Sequence, residues 1–308
     1  SCSFTTKEFD ADSDKDEVLI ELISFVLSRG HYDPKDINDE FSEKVYHDFL
    51  SDLDPRKRYF LQEDLDSFDI YKDKIDDQIQ NHKIDFFSVT YDKFQQRLAE
   101  AETYYPEILA QPFDFSSQEE INTNYDDMAY ASSKEELKER WKTQLKFATL
   151  ANFYDLKQEQ KAKAENEEDF QPKSDEELEK EAREMTKTAL DESFDINDDL
   201  GRKDWFSVYL NAIVEEFDPH TFYFAPRDKE RFDIQMSGSL EGIGARLQKK
   251  MNNIKVLEII SGGPAWRGEE LEKWNWNMCP PASISIPRLR ELKLSSNTVL
   301  CANVPSSL

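Results

Sequence analysis

The residues best placed to bind a ligand through the main chain lie between positions 238 and 268. The chain has eight glycines, and six of them fall in this interval. Glycine permits positive φ and a close approach of the backbone, so successive amides here could point at a carboxylate. The strand that follows would offer its edge to an extended peptide. The candidate carboxylate-binding residues are Gly242, Ile243, Gly244 and Ala245, and the candidate edge residues are Arg246, Leu247 and Gln248. The alternative is an ordinary tight turn between two strands.

No other segment predicts a catalytic or metal site. Ser132-Ser133-Lys134 places serine beside lysine, but adjacent residues on a helix do not face each other. Ser133 is better explained as a helix cap. The four histidines have neither metal-ligand nor triad spacing and are predicted to be surface or packing residues: His31, His47, His82 and His220. We therefore expect no catalytic residue, no metal and no cofactor.

Composition limits the classes of function. A length of 308 residues predicts about two domains. The formal net charge of −26 argues against nucleic-acid binding, which requires clustered Lys and Arg. No apolar run is long enough to span a membrane. The three cysteines make no disulfide framework. Cys2 is either the lipidated residue of a processed lipoprotein or a chance cysteine in a frayed terminus.

The elements that must position the glycine segment are helical. Apolar residues recur with helical period across residues 14–156. Val18–Leu27 is apolar enough to predict a buried helix that ends at Gly30, and another predicted helix ends near Pro106. Helix starts are predicted at Ser133–Glu136 and Ser174–Glu177, which have the form of capping boxes. The intervening residues 157–173, part of a highly charged stretch, are either an exposed helix or a flexible link.

One motif occurs twice, with every matched pair 164 positions apart. Leu53–Phe60 returns as Phe217–Phe224, and each copy contains Asp-Pro followed by Tyr-Phe. Proline restricts the residue before it and cannot donate a backbone hydrogen bond. Each copy is therefore predicted to end a helix, to pack its Tyr-Phe pair and to open the next helix with an acidic residue.

The period changes after Gly238. Gly244–Lys250 and Ile254–Ile260 flank Asn252-Asn253, which predicts a hairpin. Ser261–Ala265 predicts a loop that opens a short helix. Residues 273–308 carry four basic residues and one acidic residue, so we interpret them as an aberrant, non-native tail. The predicted division is an N-terminal tail (1–13), a helical domain (14–234), a partial β domain (235–272) and the aberrant tail (273–308).

Three motifs in sequence resemble the carboxyl-terminal processing (tail-specific) serine proteases. They are Phe217–Phe224, Gly238–Gly244 and Ile260–Ala265. The resemblance covers about residues 4–272 and implies a mainly α fold: a multi-helix N-terminal domain, followed by the hairpin of an incomplete PDZ domain. It also implies a periplasmic or envelope location, and C-terminal peptides of envelope proteins as ligands of the full enzyme. An adaptor lipoprotein is a further expected partner.

The resemblance stops at about Glu272. Beyond that residue the family continues with the rest of the PDZ fold and a protease domain carrying a Ser–Lys dyad. We therefore expect this chain to supply the recognition and scaffold part of a tail-specific endopeptidase and to be inactive itself. The alternative is a non-catalytic helical adaptor whose acidic surface docks a partner.

Overall fold

The computed structural model describes residues 11–33, 35–166, 170–225, 229, 232, 245–250, 253–259, 261–262 and 264–267. The chain divides into two compact units. The first comprises residues 1–188 and 202–223, and the second comprises residues 189–201 and 224–308. The protein is mainly helical, as predicted.

Helices make up the first unit. They are α1 (Ala11–Gly30), α2 (Asp39–Leu53), α3 (Gln62–Phe68), α4 (Ile75–Gln80), α5 (Asp85–Leu109), α6 (Lys134–Asn166), α7 (Asp175–Asp199) and α8 (Arg202–Glu215). The residues of α7 from Ala189 onward belong to the second unit. A 3₁₀ turn, Asp69–Tyr71, separates α3 from α4. The helical period predicted across residues 14–156 therefore does not correspond to one continuous helix here, since residues 62–80 form three separate pieces.

The core of the first unit is a group of buried aromatic side chains from α2, α5 and α8. Phe49 of α2 meets Tyr209 of α8 with ring centroids 5.0 Å apart. Phe87 of α5 meets Phe206 of α8 at 4.9 Å. Large aromatic side chains that bury this much surface dominate core energetics. They therefore fix α8, the helix that leads into the second Asp-Pro motif.

The buried face of α1 differs from the prediction. Val18, Leu22, Phe25 and Val26 are more than half exposed, whereas Ile20 and Leu27 are buried. The helix is apolar on more than one face, so hydrophobicity alone does not choose which face packs. Asp16 is also buried and forms an ion pair with Arg202 of α8. This pair lies on the packed face with Ile20.

One helix boundary differs from expectation, and a second is decided between two predicted alternatives. Pro106 lies inside α5, which continues to Leu109. Pro106 has no N–H to donate to the carbonyl four residues before it. The helix nevertheless continues for three residues and ends where Ala110 N–H donates to the Pro106 carbonyl (3.0 Å). Residues 157–166 of the charged segment are helical, since α6 runs to Asn166. Of the two alternatives, the exposed helix is therefore the correct one for these ten residues.

The second unit contains two antiparallel strands. β1 is Ala245–Lys250 and β2 is Asn253–Ile259. Ala245 pairs with Ile259 and Lys250 with Asn253, with an irregularity between Arg246 and Leu247. A four-residue helix, α9 (Pro264–Arg267), follows.

Candidate functional site

The candidate peptide-binding residues begin at the first residue of β1. Ala245 is buried and opens the strand, while Gly242, Ile243 and Gly244 lie outside the described residues. Arg246, Leu247 and Gln248 lie in β1 and pair on one side with β2. Among the described strands β1 has no second neighbour, so its other edge keeps the main-chain groups that an added strand would use.

The turn after β2 has a backbone that requires glycine. Gly262 has φ of 82°, a conformation that side-chain-bearing residues rarely adopt. The Arg267 guanidinium donates to the Gly262 carbonyl from Nε (2.9 Å) and Nη2 (2.7 Å). The short α9 and the turn before it are therefore tied together.

The first Asp-Pro motif forms a closed, buried turn after α2. The Asp54 carboxylate accepts the main-chain N–H groups of Arg58 (2.8 Å), Tyr59 (2.9 Å) and Phe60 (3.0 Å). Burial raises the pKa of Asp54 more than these three donors lower it. Lys57 at the apex has φ of 47°. The predicted packing of Tyr59 and Phe60 is confirmed, since both are buried.

Side chains of α6 hold the outer face of the same turn. Gln144 Nε2 donates to the Arg56 carbonyl (3.2 Å). Arg140 Nη1 donates to Lys57 O (2.7 Å), and Trp141 Nε1 donates to Arg58 O (2.7 Å). Three consecutive carbonyls therefore have side-chain partners from a single helix. The sequence analysis missed these residues, because no local pattern relates positions 56–58 to positions 140–144.

The second Asp-Pro motif is more open. The Asp218 carboxylate accepts the His220 main-chain N–H (2.9 Å) and, at 3.4 Å, the Tyr32 hydroxyl. Tyr223 N–H donates to the Asn211 side chain (2.7 Å). Phe224 is 49% exposed, whereas its counterpart Phe60 is 0% exposed. The prediction that both Tyr-Phe pairs pack therefore holds fully only for the first copy. This second motif precedes the glycine segment in the chain.

Acidic residue Asp64, which follows the first motif, is held by a buried ion pair. Its carboxylate accepts Leu61 N–H (2.9 Å) at the start of α3, as predicted. It also accepts Arg97 Nε (2.8 Å) and Nη2 (2.9 Å) from α5. Arg97 further donates to Glu63 and Glu100, so a single guanidinium joins α5 to the start of α3.

Residues 23–227 match the family model described as "Tail specific protease N-terminal domain". The chain belongs to the tail-specific protease family. It is 27% identical over 262 residues to a "Tail-specific protease" of Haemophilus influenzae, an alignment that covers 85% of this chain. The same alignment covers 35% of that relative, so this chain spans about a third of the relative's length.

The serine–lysine sequence in this tail-specific protease chain has a structural role. Ser133 Oγ accepts the Glu136 main-chain N–H (3.2 Å) at the start of α6, which confirms the predicted cap. The Glu136 carboxylate bonds to Ser132 rather than back to Ser133. Lys134 Nζ forms an ion pair with Glu100 (2.8 Å). Serine and lysine are thus both engaged elsewhere.

Ser174 shows the complete predicted motif. Its N–H donates to Glu177 Oε2 (2.8 Å), and Glu177 N–H donates back to Ser174 Oγ (3.2 Å).

The described part of the chain contains no group of three or more His, Cys, Asp or Glu side chains arranged to hold a metal ion. None of its helices is long and apolar enough to cross a membrane. Cys2 and residues 273–308, to which the sequence analysis assigned an anchor and an aberrant tail, lie outside the described residues.

Proposed function

We propose that this chain is the N-terminal scaffold and recognition part of a serine endopeptidase that trims or degrades envelope proteins from their C-termini. The observation that carries the proposal is the order of parts in one chain. The family match covers residues 23–227, and the glycine segment and the β1–β2 hairpin follow directly. A helical domain that leads into a backbone-binding loop suits the presentation of a polypeptide end to an enzyme.

In this proposal the hairpin begins a PDZ-type domain. The amides of Ile243, Gly244 and Ala245 bind the terminal carboxylate, and the β1 edge at Arg246–Gln248 pairs with the peptide. Among the described strands β1 pairs only with β2, and this supports the assignment. The location is the periplasm or cell envelope, with a lipid anchor at Cys2 as a further hypothesis. The partners are C-terminal peptides and an adaptor lipoprotein.

Hydrolysis is assigned to parts outside these 308 residues. A Ser–Lys dyad needs a lysine that is free to act as the general base of its serine. Ser133 caps α6 and Lys134 is paired with Glu100, so neither has that role. We expect the isolated chain to leave an unfolded protein with an apolar C-terminus intact.

A chimera tests the proposal. Residues 23–272 of this chain, which include the glycine segment and the hairpin, would replace the matching region of the Haemophilus influenzae protease. We expect the chimera to cleave a substrate that ends in a free apolar carboxylate and to spare the same substrate when it is C-terminally amidated. A chimera lacking the region entirely is the control. A folded chimera with no tail-dependent cleavage would contradict the proposed function.

A further inference from the structure

Helix α1 presents an apolar face to solvent. The face that packs on the first unit carries the buried residues Asp16, Ile20 and Leu27. On the opposite face four large apolar side chains are more than half exposed: Val18, Leu22, Phe25 and Val26. Side chains of this size expose on the order of 100 Å² each at such fractions, so together they form about 400 Å² of apolar surface, within the size range of functional patches.

The exposed positions have the spacing of a helix–helix seam. Successive members are four, three and four positions apart: Val18, Leu22, Phe25 and Arg29. This is the a/d spacing of a coiled coil, which keeps one stripe of side chains facing a partner helix. Glu21 lies along one flank of the stripe and Val26 along the other, because each residue turns the helix by about 100°. The face is therefore shaped to receive a second helix rather than a small ligand.

The charges of α1 are divided between its two ends. Residues 11–21 contain five acidic residues and one lysine, whereas Arg29 is the only charged residue between positions 22 and 30. Arg29 forms no ion pair with any described residue, and its guanidinium lies over the Phe25 ring, 5.7 Å from the centroid. Glu21 is exposed and lies 4.0 Å from His82. A helix that is acidic at one end, apolar in the middle and basic at the other is complementary to a copy of itself that runs in the opposite direction.

We propose that this face of α1 binds α1 of a second copy of the chain in an antiparallel pair. A two-fold axis between Leu22 and Phe25 packs the Leu22 of each copy on the Phe25 of the other, as the symmetry of a dimer requires. Val18 then lies level with Arg29 of the other copy. Glu21 of that copy is offset from the same Arg29 by about 4.5 Å along the axis, within reach of a long side chain. A parallel pair would place the two acidic ends side by side, where they repel.

The area of the face sets the strength of the pair. Two copies bring together about 800 Å² of apolar surface, and the polar flanks raise the buried total to about 1,200 Å², the lower limit for a specific interface. Each copy also carries a formal net charge of −26, so mutual repulsion opposes association. The dimer is therefore reversible, with a Kd on the order of 10 μM, and not permanent.

Sedimentation equilibrium of the full chain tests the association. The measurement covers about 1–200 μM protein in about 0.3 M NaCl, which screens the long-range repulsion. We expect the average mass to rise from that of one chain to a plateau at twice that value. A chain that stays monomeric at the highest concentration would overturn the proposal, whether another segment covers the face or the face stays in solvent. Growth beyond the dimer without a plateau would contradict a two-fold pair.

One substitution made at two exposed leucines identifies the face. Leu22→Glu places a carboxylate in the centre of the proposed seam and should weaken the dimer at least about tenfold, because the charge would be buried there without a partner. Leu150 of α6 is also exposed, and Leu150→Glu adds the same charge outside α1, so it should leave the Kd unchanged. Circular dichroism checks that both variants remain folded. If Leu150→Glu weakens the dimer as much as Leu22→Glu, the effect is only that of added net charge, and the proposal fails.

Disulfide cross-linking tests the antiparallel orientation. In a background in which the natural cysteines are replaced by serine (Cys2, Cys279 and Cys301), a Val18→Cys chain is mixed with an Arg29→Cys chain and oxidised in air with copper–phenanthroline. We expect mainly the disulfide between positions 18 and 29, identified by mass spectrometry of the linked peptides. The two positions 18 lie about 16 Å apart along an antiparallel pair, too far for a disulfide, which needs Cα atoms within about 7 Å. Predominance of the Val18→Cys homodimer, or a statistical mixture of all three products, would contradict the proposed pair.

Discussion

Replacing the aspartate of each Asp-Pro motif with alanine compares one substitution in two environments of the same molecule. Asp54→Ala removes the acceptor of three main-chain N–H groups, and two of these belong to the buried residues Tyr59 and Phe60. Asp218→Ala removes the acceptor of one N–H, that of the exposed His220. The two substitutions delete the same atoms, so the difference between them reports the surroundings.

The magnitudes follow from the number of bonds left unmade. A buried donor without a partner costs about 1–3 kcal/mol. Three such donors, taken at the low end because Arg58 is half-buried, give a loss of about 3–5 kcal/mol for Asp54→Ala. The penalty of burying the Asp54 charge, which raises its pKa, is relieved in the variant and brings the net loss to about 3 kcal/mol. Loss of the single exposed hydrogen bond at Asp218 should cost about 0.5–1 kcal/mol, the low end for one net hydrogen bond.

Urea unfolding followed by far-ultraviolet circular dichroism measures both losses. In thermal unfolding, a unit of this size loses about 2–4 °C per kcal/mol, so we expect a decrease of about 6–12 °C for Asp54→Ala and about 1–4 °C for Asp218→Ala. Asp54→Asn, which retains one acceptor oxygen, should fall between Asp54→Ala and the parent chain. Equal losses for the two alanine variants would refute the argument that the hydrogen bonds of Asp54 hold the first turn.

Three further predictions concern charge and ligand binding. Arg97→Met removes the guanidinium from the buried Asp64 carboxylate, to which Lys93 Nζ, 3.8 Å away, remains as a cationic partner. The variant should therefore lose about 3 kcal/mol of unfolding free energy, the low end for breaking a buried pair. Glu63→Gln removes only the exposed partner of Arg97 and should cost less than about 1 kcal/mol. Partial burial, together with the charges of Glu215 and Asp48, raises the pKa of Asp52 to about 6. The ionised Asp52 therefore destabilises the fold above about pH 6, and this effect is absent below the ordinary pKa of Asp. Asp52→Asn should stabilise the chain at pH 8 by less than about 1 kcal/mol, because the side chain is partly exposed to solvent, and should give no gain at pH 3. A pH-independent gain would contradict the assignment. Calorimetry with a peptide that has an apolar C-terminal residue and a free carboxylate should give a Kd of about 1 mM or weaker. The reason is that a PDZ groove needs a helix beside the strand edge, whereas the described hairpin supplies only the edge. Micromolar binding that is lost when the peptide is amidated would show that a complete groove exists.

Local chemistry in the sequence predicted local structure well. Ser133 and Ser174 were predicted to start helices from a serine followed three residues later by glutamate, and both accept the expected N–H. Asp64 was predicted to open a helix, and its carboxylate accepts Leu61 N–H. In each case donor and acceptor lie within three residues of each other, so the sequence alone brings them together.

Longer-range choices were not predictable in the same way. The buried face of α1 depends on the pairing of Asp16 with Arg202, which are 186 positions apart. The helical pattern is apolar on more than one face, so it predicted burial for Val18 and Leu22, which are exposed, as well as for Ile20 and Leu27, which are buried. The position of the segment before α6 depends equally on Lys57, whose side chain donates to carbonyls about 70 residues further along the chain.

The two Asp-Pro motifs show where the limit lies. Both copies place an aspartate after a helix, and in both the carboxylate accepts a main-chain N–H that follows the proline. The motif therefore encodes the turn itself. The burial of the first turn comes from Arg140, Trp141 and Gln144 of α6, which donate to its three outer carbonyls. No described residue performs this role for the second copy, and Phe222 remains half exposed there. A repeat in sequence thus predicts a repeated turn, but the helix that covers the turn determines whether its aromatic residues become core.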